Sequence, residues 1–360
     1  MKPVFTAIVF LMFGMTAVAQ DSSRQNNPLS FSGYAEAYYC YDFNKPANNI
    51  RPSFFYSYNR HNEFNVNLAF VRASYATDKI RGNMALATGT YMNANYSAEP
   101  GVLKNLFEGN VGLKVSKKEN LWIDAGEFAS HIGFESAVGK DCWNLTRCMV
   151  ADNTPYFESG VKLTYTTKDS KWLLSALALN GWQRITRVQG NSLMSWGTQV
   201  TFTPAANVTV NWSTFLGTDN PDSARTIRFW NNFYGIFQFN DKAGLTVGFD
   251  FGTEQANKGS SKMNTVYSPV VILRFTPHDN WAIALRGEYY HDENGAIIYT
   301  GSPNGFKTFG ASINFDRNIT GKMVWRTEFR TLHSKDKVFY KVNSMTDNNS
   351  FVTTSLALKF

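Results

Sequence analysis

Two kinds of connection alternate without a break along this chain. Very short polar turns fall near Asp78 and at 116–120, 168–170, 203–207, 240–242, 276–280 and 316–320. Longer polar stretches lie between them, at 44–62, 93–106, 132–155, 183–192, 218–227, 255–262, 292–304 and 334–349. The segments they join read with period two. Val208, Val210 and Trp212 alternate with Thr209, Asn211 and Ser213; Leu245, Val247, Phe249 and Phe251 alternate with Thr246, Gly248 and Asp250. Phe309, Ala311, Ile313 and Phe315 alternate with Gly310, Ser312 and Asn314. This is the pattern of a strand with one apolar face. No segment after Gln20 carries a helical period of similar strength.

Sixteen strands are expected, over 31–43, 63–77, 79–92, 107–115, 121–131, 156–167, 171–182, 193–202, 208–217, 228–239, 243–254, 263–275, 281–291, 305–315, 321–333 and 350–360. An even number returns both ends of the chain to one side of a membrane, with short turns there and long loops opposite. Fourteen and eighteen strands stay open. The second strand switches its apolar face after Phe70, which calls for a bulge or a shifted register.

Composition agrees with strands that face lipid. Mean hydropathy is −0.29, yet aromatic residues make up 15% of the chain. A polar average with many rings fits a wall in which only alternate residues meet hydrocarbon. Strands running toward a short turn end on outward aromatics: Tyr165, Phe202, Phe239, Phe275, Phe315 and Phe360. The first spacings are 37, 37 and 36 residues, one hairpin each. Trp122, Trp172 and Trp281 begin strands across the same turns. Amphipathic rings favour the edge of the hydrocarbon, so these positions read as an aromatic girdle. A soluble propeller or solenoid could also repeat near this length, but a blade needs about four short strands, and each repeat here holds two long ones.

In hydrocarbon an unpaired backbone N–H or C=O costs several kcal/mol, so such strands have to close. The expected fold is all-β: a single closed antiparallel transmembrane barrel. A ring of about sixteen strands is too wide for side chains to fill, so water enters its lumen.

The two ends fit this organisation. Lys2, the apolar run 3–18 and the small residues Ala17-Val18-Ala19 read as a secretory signal peptide over 1–19. At 16 residues the run is short against the roughly 20 needed to span a bilayer. No Cys follows the cleavage site to carry a lipid. A short periplasmic segment, 20–30, and the barrel, 31–360, complete the expected organisation. The last stretch alternates Val352, Thr354, Leu356, Leu358 and Phe360 against Phe351, Thr353, Ser355, Ala357 and Lys359. It reads as the strand that closes the ring against the first.

Two segments carry a family resemblance. Phe31-Ser-Gly-Tyr-Ala-Glu-Ala-Tyr-Tyr-Cys-Tyr41 resembles the first strand of the OmpL-like β-barrel porins of Gram-negative outer membranes. Ala125-Gly-Glu-Phe-Ala-Ser-His-Ile-Gly-Phe-Glu135 is similar to a stretch that leads from a barrel strand into a long loop in that family. The resemblance implies an integral outer-membrane channel that passes small hydrophilic solutes by diffusion. It implies contact with outer-membrane lipid and lipopolysaccharide. A C-terminal Phe, here Phe360, is read in outer-membrane barrels by the assembly machinery. A homo-trimer is open on this reading.

Formal net charge is +7. The basic residues lie among acidic ones in no long run, which discounts nucleic acid and leaves lipopolysaccharide or anionic solutes. Charged residues opposite the apolar faces should line the lumen: Glu108, Lys114, Glu158, Lys162, Arg286, Glu288, Arg326, Glu328 and Arg330. Rings of charge can set ion selectivity. The plainer reading is a solvated wall paired across strands. Arg326 and Arg330 flanking Glu328 form the best candidate for a basic strip. The longest connection, 132–155, holds Lys140, Asp141, Trp143, Arg147 and Asp152; it either folds into the pore or lies over the rim. Cys142 and Cys148 could bridge within it in an oxidising compartment.

Catalysis finds little support. Histidines fall at 61, 131, 278, 291 and 333 without a nucleophile or metal pattern, and no Gly-x-Ser-x-Gly elbow occurs. No enzyme activity, metal or cofactor is expected. The rival to a pore is a structural or adhesive barrel whose loops bind a partner.

Overall fold

A computed structural model describes residues 27–360. The expected signal peptide lies outside the described residues. The barrel strands are β1 (Leu29–Asp42), β2 (Phe64–Ala76), β3 (Ile80–Thr88), β4 (Leu106–Lys114), β5 (Asn120–Ala129), β6 (Phe157–Thr166), β7 (Trp172–Leu179) and β8 (Ser195–Ala205). They continue with β9 (Val208–Gly217), β10 (Arg228–Asn240), β11 (Ala243–Gln255), β12 (Met263–His278), β13 (Trp281–Asp292), β14 (Phe306–Asn318), β15 (Met323–Ser334) and β18 (Asn348–Lys359). Each pairs antiparallel with its neighbours in sequence, and β18 pairs with β1, so sixteen strands close the ring. A small external hairpin, β16 (Phe339–Lys341) with β17 (Ser344–Thr346), stands in the last long loop.

Closure occurs where the terminal strand predicts it. Tyr34 pairs with Lys359 and Asp42 with Phe351. Gly33 N–H donates to Phe360 O at 2.7 Å, and Phe360 N–H donates to Gly33 O at 3.0 Å. A Cβ on Gly33 would fall 2.5 Å from the tip of the Phe360 ring, so a side chain there would displace it. Strand length suits a bilayer. The twelve residues of β15, at about 3.3 Å each and a tilt near 40°, rise about 30 Å.

The outer face carries Phe229, Phe233, Val247, Phe249, Leu285, Ile313, Phe329 and Leu356, all exposed on the chain by itself. No described helix is long and apolar enough to cross a membrane; the strands do so. Outward aromatics meet across the short turns. Trp172 stacks on Phe202 at 4.2 Å, and Trp281 lies 5.9 Å from Phe315. Tyr165, Phe239, Phe275 and Phe360 stand on the same outer side at strand ends near the turns. Trp122 differs: it points inward, 9% exposed, with the Arg81 guanidinium 4.3 Å above its ring.

Two local departures have clear causes. The switch of face in the second strand is a bulge at Asn67, where the pairing steps from Glu36–Leu68 to Ala37–Val66. It turns Leu68 and Phe70 inward, onto an internal apolar cluster. The third strand stops at Thr88 instead of running to 92, and a short helix, α1 (Thr90–Asn95), follows. Gly89 makes that corner at φ +128°, with a Cβ position only 2.3 Å from Asn67 O. Only glycine fits so close a backbone approach.

Candidate functional site: the divided lumen

The 132–155 segment folds into the barrel. Its residues are largely buried, and its tip reaches the turn end. There Lys140 Nζ donates to Gly321 O at 2.7 Å, and Asp141 pairs with Lys359 at 2.8 Å. A short helix, α2 (Met149–Asp152), forms on the return. An irregular loop inside a barrel brings many backbone groups away from water, and each needs a partner.

The wall of β13–β15 supplies those partners. Arg326 donates to the carbonyls of Gly139, Cys142 and Trp143 at 2.5, 3.0 and 3.0 Å. Arg286 donates to Thr146 O at 2.6 Å, and Arg330 to Arg147 O at 2.8 Å. Glu328 accepts Thr146 N–H at 2.5 Å, and Glu288 accepts Met149 N–H at 2.6 Å. Asn314 Oδ1 accepts Leu145 N–H at 3.0 Å. The wall charges also pair with one another: Arg286 with Glu328 at 2.9 Å, Arg330 with Glu288 at 2.7 Å, and Arg326 with Asp316 at 2.7 Å. Every one of these side chains is almost wholly buried.

This corrects the sequence reading of Arg326, Glu328 and Arg330 as a solvent-facing basic strip. They form a socket for the loop backbone, as do Arg286 and Glu288. Strand parity correctly sends all five inward. It says nothing about what stands in front of them.

The cysteine reading is also corrected. Cys40, Cys142 and Cys148 are free and buried. Cys142 Sγ donates to Ser136 O at 3.3 Å, while the Cys148 backbone N–H is held by Glu135 at 2.7 Å. The loop is stiffened by the wall in place of a bridge.

A second loop, 43–63, enters from the loop end and clamps the first. Ser57 Oγ donates to Asp152 at 3.2 Å, and Asn153 Nδ2 donates to Phe54 O at 3.1 Å. Arg51 lies between the rings of Phe55 and Phe351, 4.0 and 3.7 Å from their centroids, and pairs with Asp42 at 3.4 Å. Phe54 packs on Phe306 at 4.8 Å.

The wall opposite the socket stays partly open. On its turn-side half Arg72 pairs with Glu108 at 2.8 Å and keeps 32% of its side chain exposed. Arg81 pairs with Asp124 at 2.5 Å, with 23% exposed. Lys114, Lys162, Gln199 and Thr201 are likewise only partly buried on this inner face, as is Arg274 on β12. Among the sequence candidates, then, Glu108, Lys114 and Lys162 face this side. Arg72, Arg81, Asp124 and Arg274 were not singled out. The bulge at Asn67 scrambles the parity that would flag Arg72. β12 is apolar on both faces around Val270–Leu273, which hides the parity of Arg274.

Glu158 has a different task. It takes His131 Nδ1 at 2.8 Å and Ser130 Oγ at 3.1 Å, while His131 Nε2 meets Thr214 O at 2.8 Å. Histidine and serine both serve the carboxylate, and the second ring nitrogen faces a carbonyl. No serine–histidine contact exists to activate a nucleophile. The trio pins the point where β5 becomes the inward loop. No cluster of three or more His, Cys, Asp or Glu side chains suited to a metal occurs among the described residues.

The external loops are tied at the rim. The Ser192 backbone N–H pulls the Asp222 carboxyl down to about 2. The Asn304 backbone N–H holds Asp336 below the usual carboxylate range.

A closed sixteen-stranded barrel with lipid-facing strands, long external loops and an inward loop dividing its lumen defines an outer-membrane channel. The chain belongs to the family described as Putative beta-barrel porin-2, OmpL-like, which matches residues 28–360. It is an integral outer-membrane porin. Its fold is similar to that of OmpT of Vibrio cholerae, with TM-score 0.60 and 10% identity, over 94% of this chain and 99% of that one. A trimer form of OmpT aligns with TM-score 0.57 at 10% identity, over 92% and 99% of the two chains. The outer membrane channel DcaP of Acinetobacter baumannii aligns with TM-score 0.59 at 12% identity, over 92% and 97%. No curated protein sequence matches the chain.

Proposed function

We propose that small hydrophilic solutes cross by passive diffusion along the β2–β6 wall, past the 132–155 loop, which acts as a fixed constriction. The observation that carries this reading is the asymmetry of the lumen. Charged and amide side chains stay partly exposed on one wall, while the other is sealed under the loop. On this reading the protein is a channel and not an enzyme.

Planar-bilayer recording of the purified full chain tests it. Stable unitary conductance steps are expected. A silent bilayer containing correctly folded protein overturns it and favours the adhesive barrel. The rings packed at the loop end, Phe54, Phe306 and Phe339 among them, favour that second reading.

A homo-trimer is proposed on the precedent of the OmpT trimer form. The outer faces of β1–β3 support it, since Ala35, Ala37, Ala69, Ala73 and Gly82 make them low in relief beside the Phe-rich faces of β10 and β11. Native mass measurement in detergent decides it. The outward aromatics are proposed to contact lipid and lipopolysaccharide. The Phe360 strand is proposed as the signal to the assembly machinery, so deleting Phe360 should lower the folded yield in the membrane.

A further inference from the structure

We propose that the open side of the lumen selects small anions, and that Lys114, Lys162 and Arg274 are the residues that do it. The inference rests on the pore reading above and adds the charge class of the solute.

The charges on that side do not cancel. Arg72 and Arg81 are each matched by a carboxylate, in Glu108 and Asp124. Lys114, Lys162 and Arg274 take part in no ion pair within the 4.0 Å limit that defines the others, which leaves an excess of three positive charges on partly accessible inner positions. Lys162 Nζ rests 4.3 Å from the Phe128 ring centroid, an electrostatic contact that leaves its charge in place. Nothing offsets them from the facing side. The socket charges are buried and mutually paired, and the loop covers them. Asp250, the other inward carboxylate near this region, is 1% exposed and engaged by Trp230 and Asn232 at 2.7 and 2.8 Å.

All three uncompensated cations lie toward the turn end of their strands. Lys114 closes β4, Lys162 is four residues from the end of β6, and Arg274 is four from the end of β12. An ion passing the loop tip therefore meets them together. A unit charge about 6 Å from the path enriches an anion about threefold over neutral water and depletes a cation equally, roughly tenfold in ratio before screening. At 0.1 M salt the Debye length is about 10 Å, so a large part of that preference survives; at 1 M it is about 3 Å and most is lost.

The test is the reversal potential of the reconstituted full chain in a KCl gradient centred near 0.1 M. Chloride is expected to permeate several-fold better than potassium, with the preference fading as the gradient is moved toward 1 M. The K114Q/K162Q variant is expected to lower the chloride-to-potassium ratio by about threefold or more, a partly screened share of the Coulomb effect. K114E is expected to lower it further than K114Q. Neither lysine makes an ion pair, so a normal heat-modifiable band on gels is expected and confirms folding. A wild type that favours potassium, or a conducting variant with an unchanged ratio, overturns the inference. A bilayer with no conductance overturns the pore reading instead.

Discussion

Arg326 and Lys162 both point into the lumen from neighbouring levels of the barrel, and they do opposite work. Arg326 is 1% exposed, paired with Asp316, and spends its donors on three carbonyls of the inward loop. Lys162 keeps part of its surface open and makes no ion pair; its one described contact is the Phe128 ring. The first belongs to a wall built to hold peptide, the second to a wall left for water. The guanidinium suits the socket because its planar fork of five donors can satisfy several carbonyls at once. The lysine ammonium is a compact, strongly hydrated charge, better suited to act on a passing ion. A barrel wall is thus not one functional surface, and inward charge by itself does not mark a selectivity residue.

The largest expected effect comes from breaking the socket. Glu328→Ala would leave Arg286 without a close partner and Thr146 N–H without its acceptor. Removing one side of a buried ion pair costs about 3–5 kcal/mol. The variant should unfold at a clearly lower temperature in detergent and conduct with larger, noisier steps as the loop loosens. Unchanged melting and conductance would mean that the loop is held by other contacts.

A smaller and sharper contrast separates the walls. Arg326→Gln with Arg330→Gln should alter step size and noise while leaving the chloride-to-potassium ratio within about 20% of wild type, since the paired groups carry no net field into the path. If the ratio falls as far as it does for K114Q/K162Q, the two walls are not functionally distinct.

The thiols offer a check that leaves the fold intact. Cys142 and Cys148 lie between the walls, buried and unbridged. Alkylation in denaturant without reductant should add three adducts per chain, one for each cysteine, whereas the folded barrel should resist labelling. A chain that takes only one adduct in denaturant would show that the bridge forms.

The smallest effect lies at the rim. Asp222 is held to about 2 by Ser192 and Arg225. Because its folded value is depressed, the tie is fully present above about pH 4, the ordinary range of an aspartate, and is lost as pH falls toward the folded value. Asp222→Asn should raise proteolysis of the 180–194 loop at neutral pH, and wild type should approach the same rate near pH 2. Equal rates for both proteins at neutral pH would remove the role assigned to this contact.

Much of the architecture was legible because a strand at a lipid interface writes itself into every second residue. The alternation through Leu245–Phe251, the short turns and the terminal strand specify sixteen strands and a closed ring. They do so because hydrocarbon tolerates neither a polar outward side chain nor an unpaired edge. Where local geometry interrupts that code, at Asn67 and Gly89, the reading slipped by a few residues. The candidate site was legible only as a set of inward positions. Whether an inward charge meets water or peptide depends on where the 132–155 loop lies. That is decided by contacts between residues far apart in the chain, such as Gly139 with Arg326 and Met149 with Glu288. The sequence by itself determined the ring, its two faces and its girdle, since these follow from one-dimensional periodicity. The tertiary structure alone decided which wall is covered and which is open, because the loop's backbone groups had to find partners and only one side of the barrel supplied them.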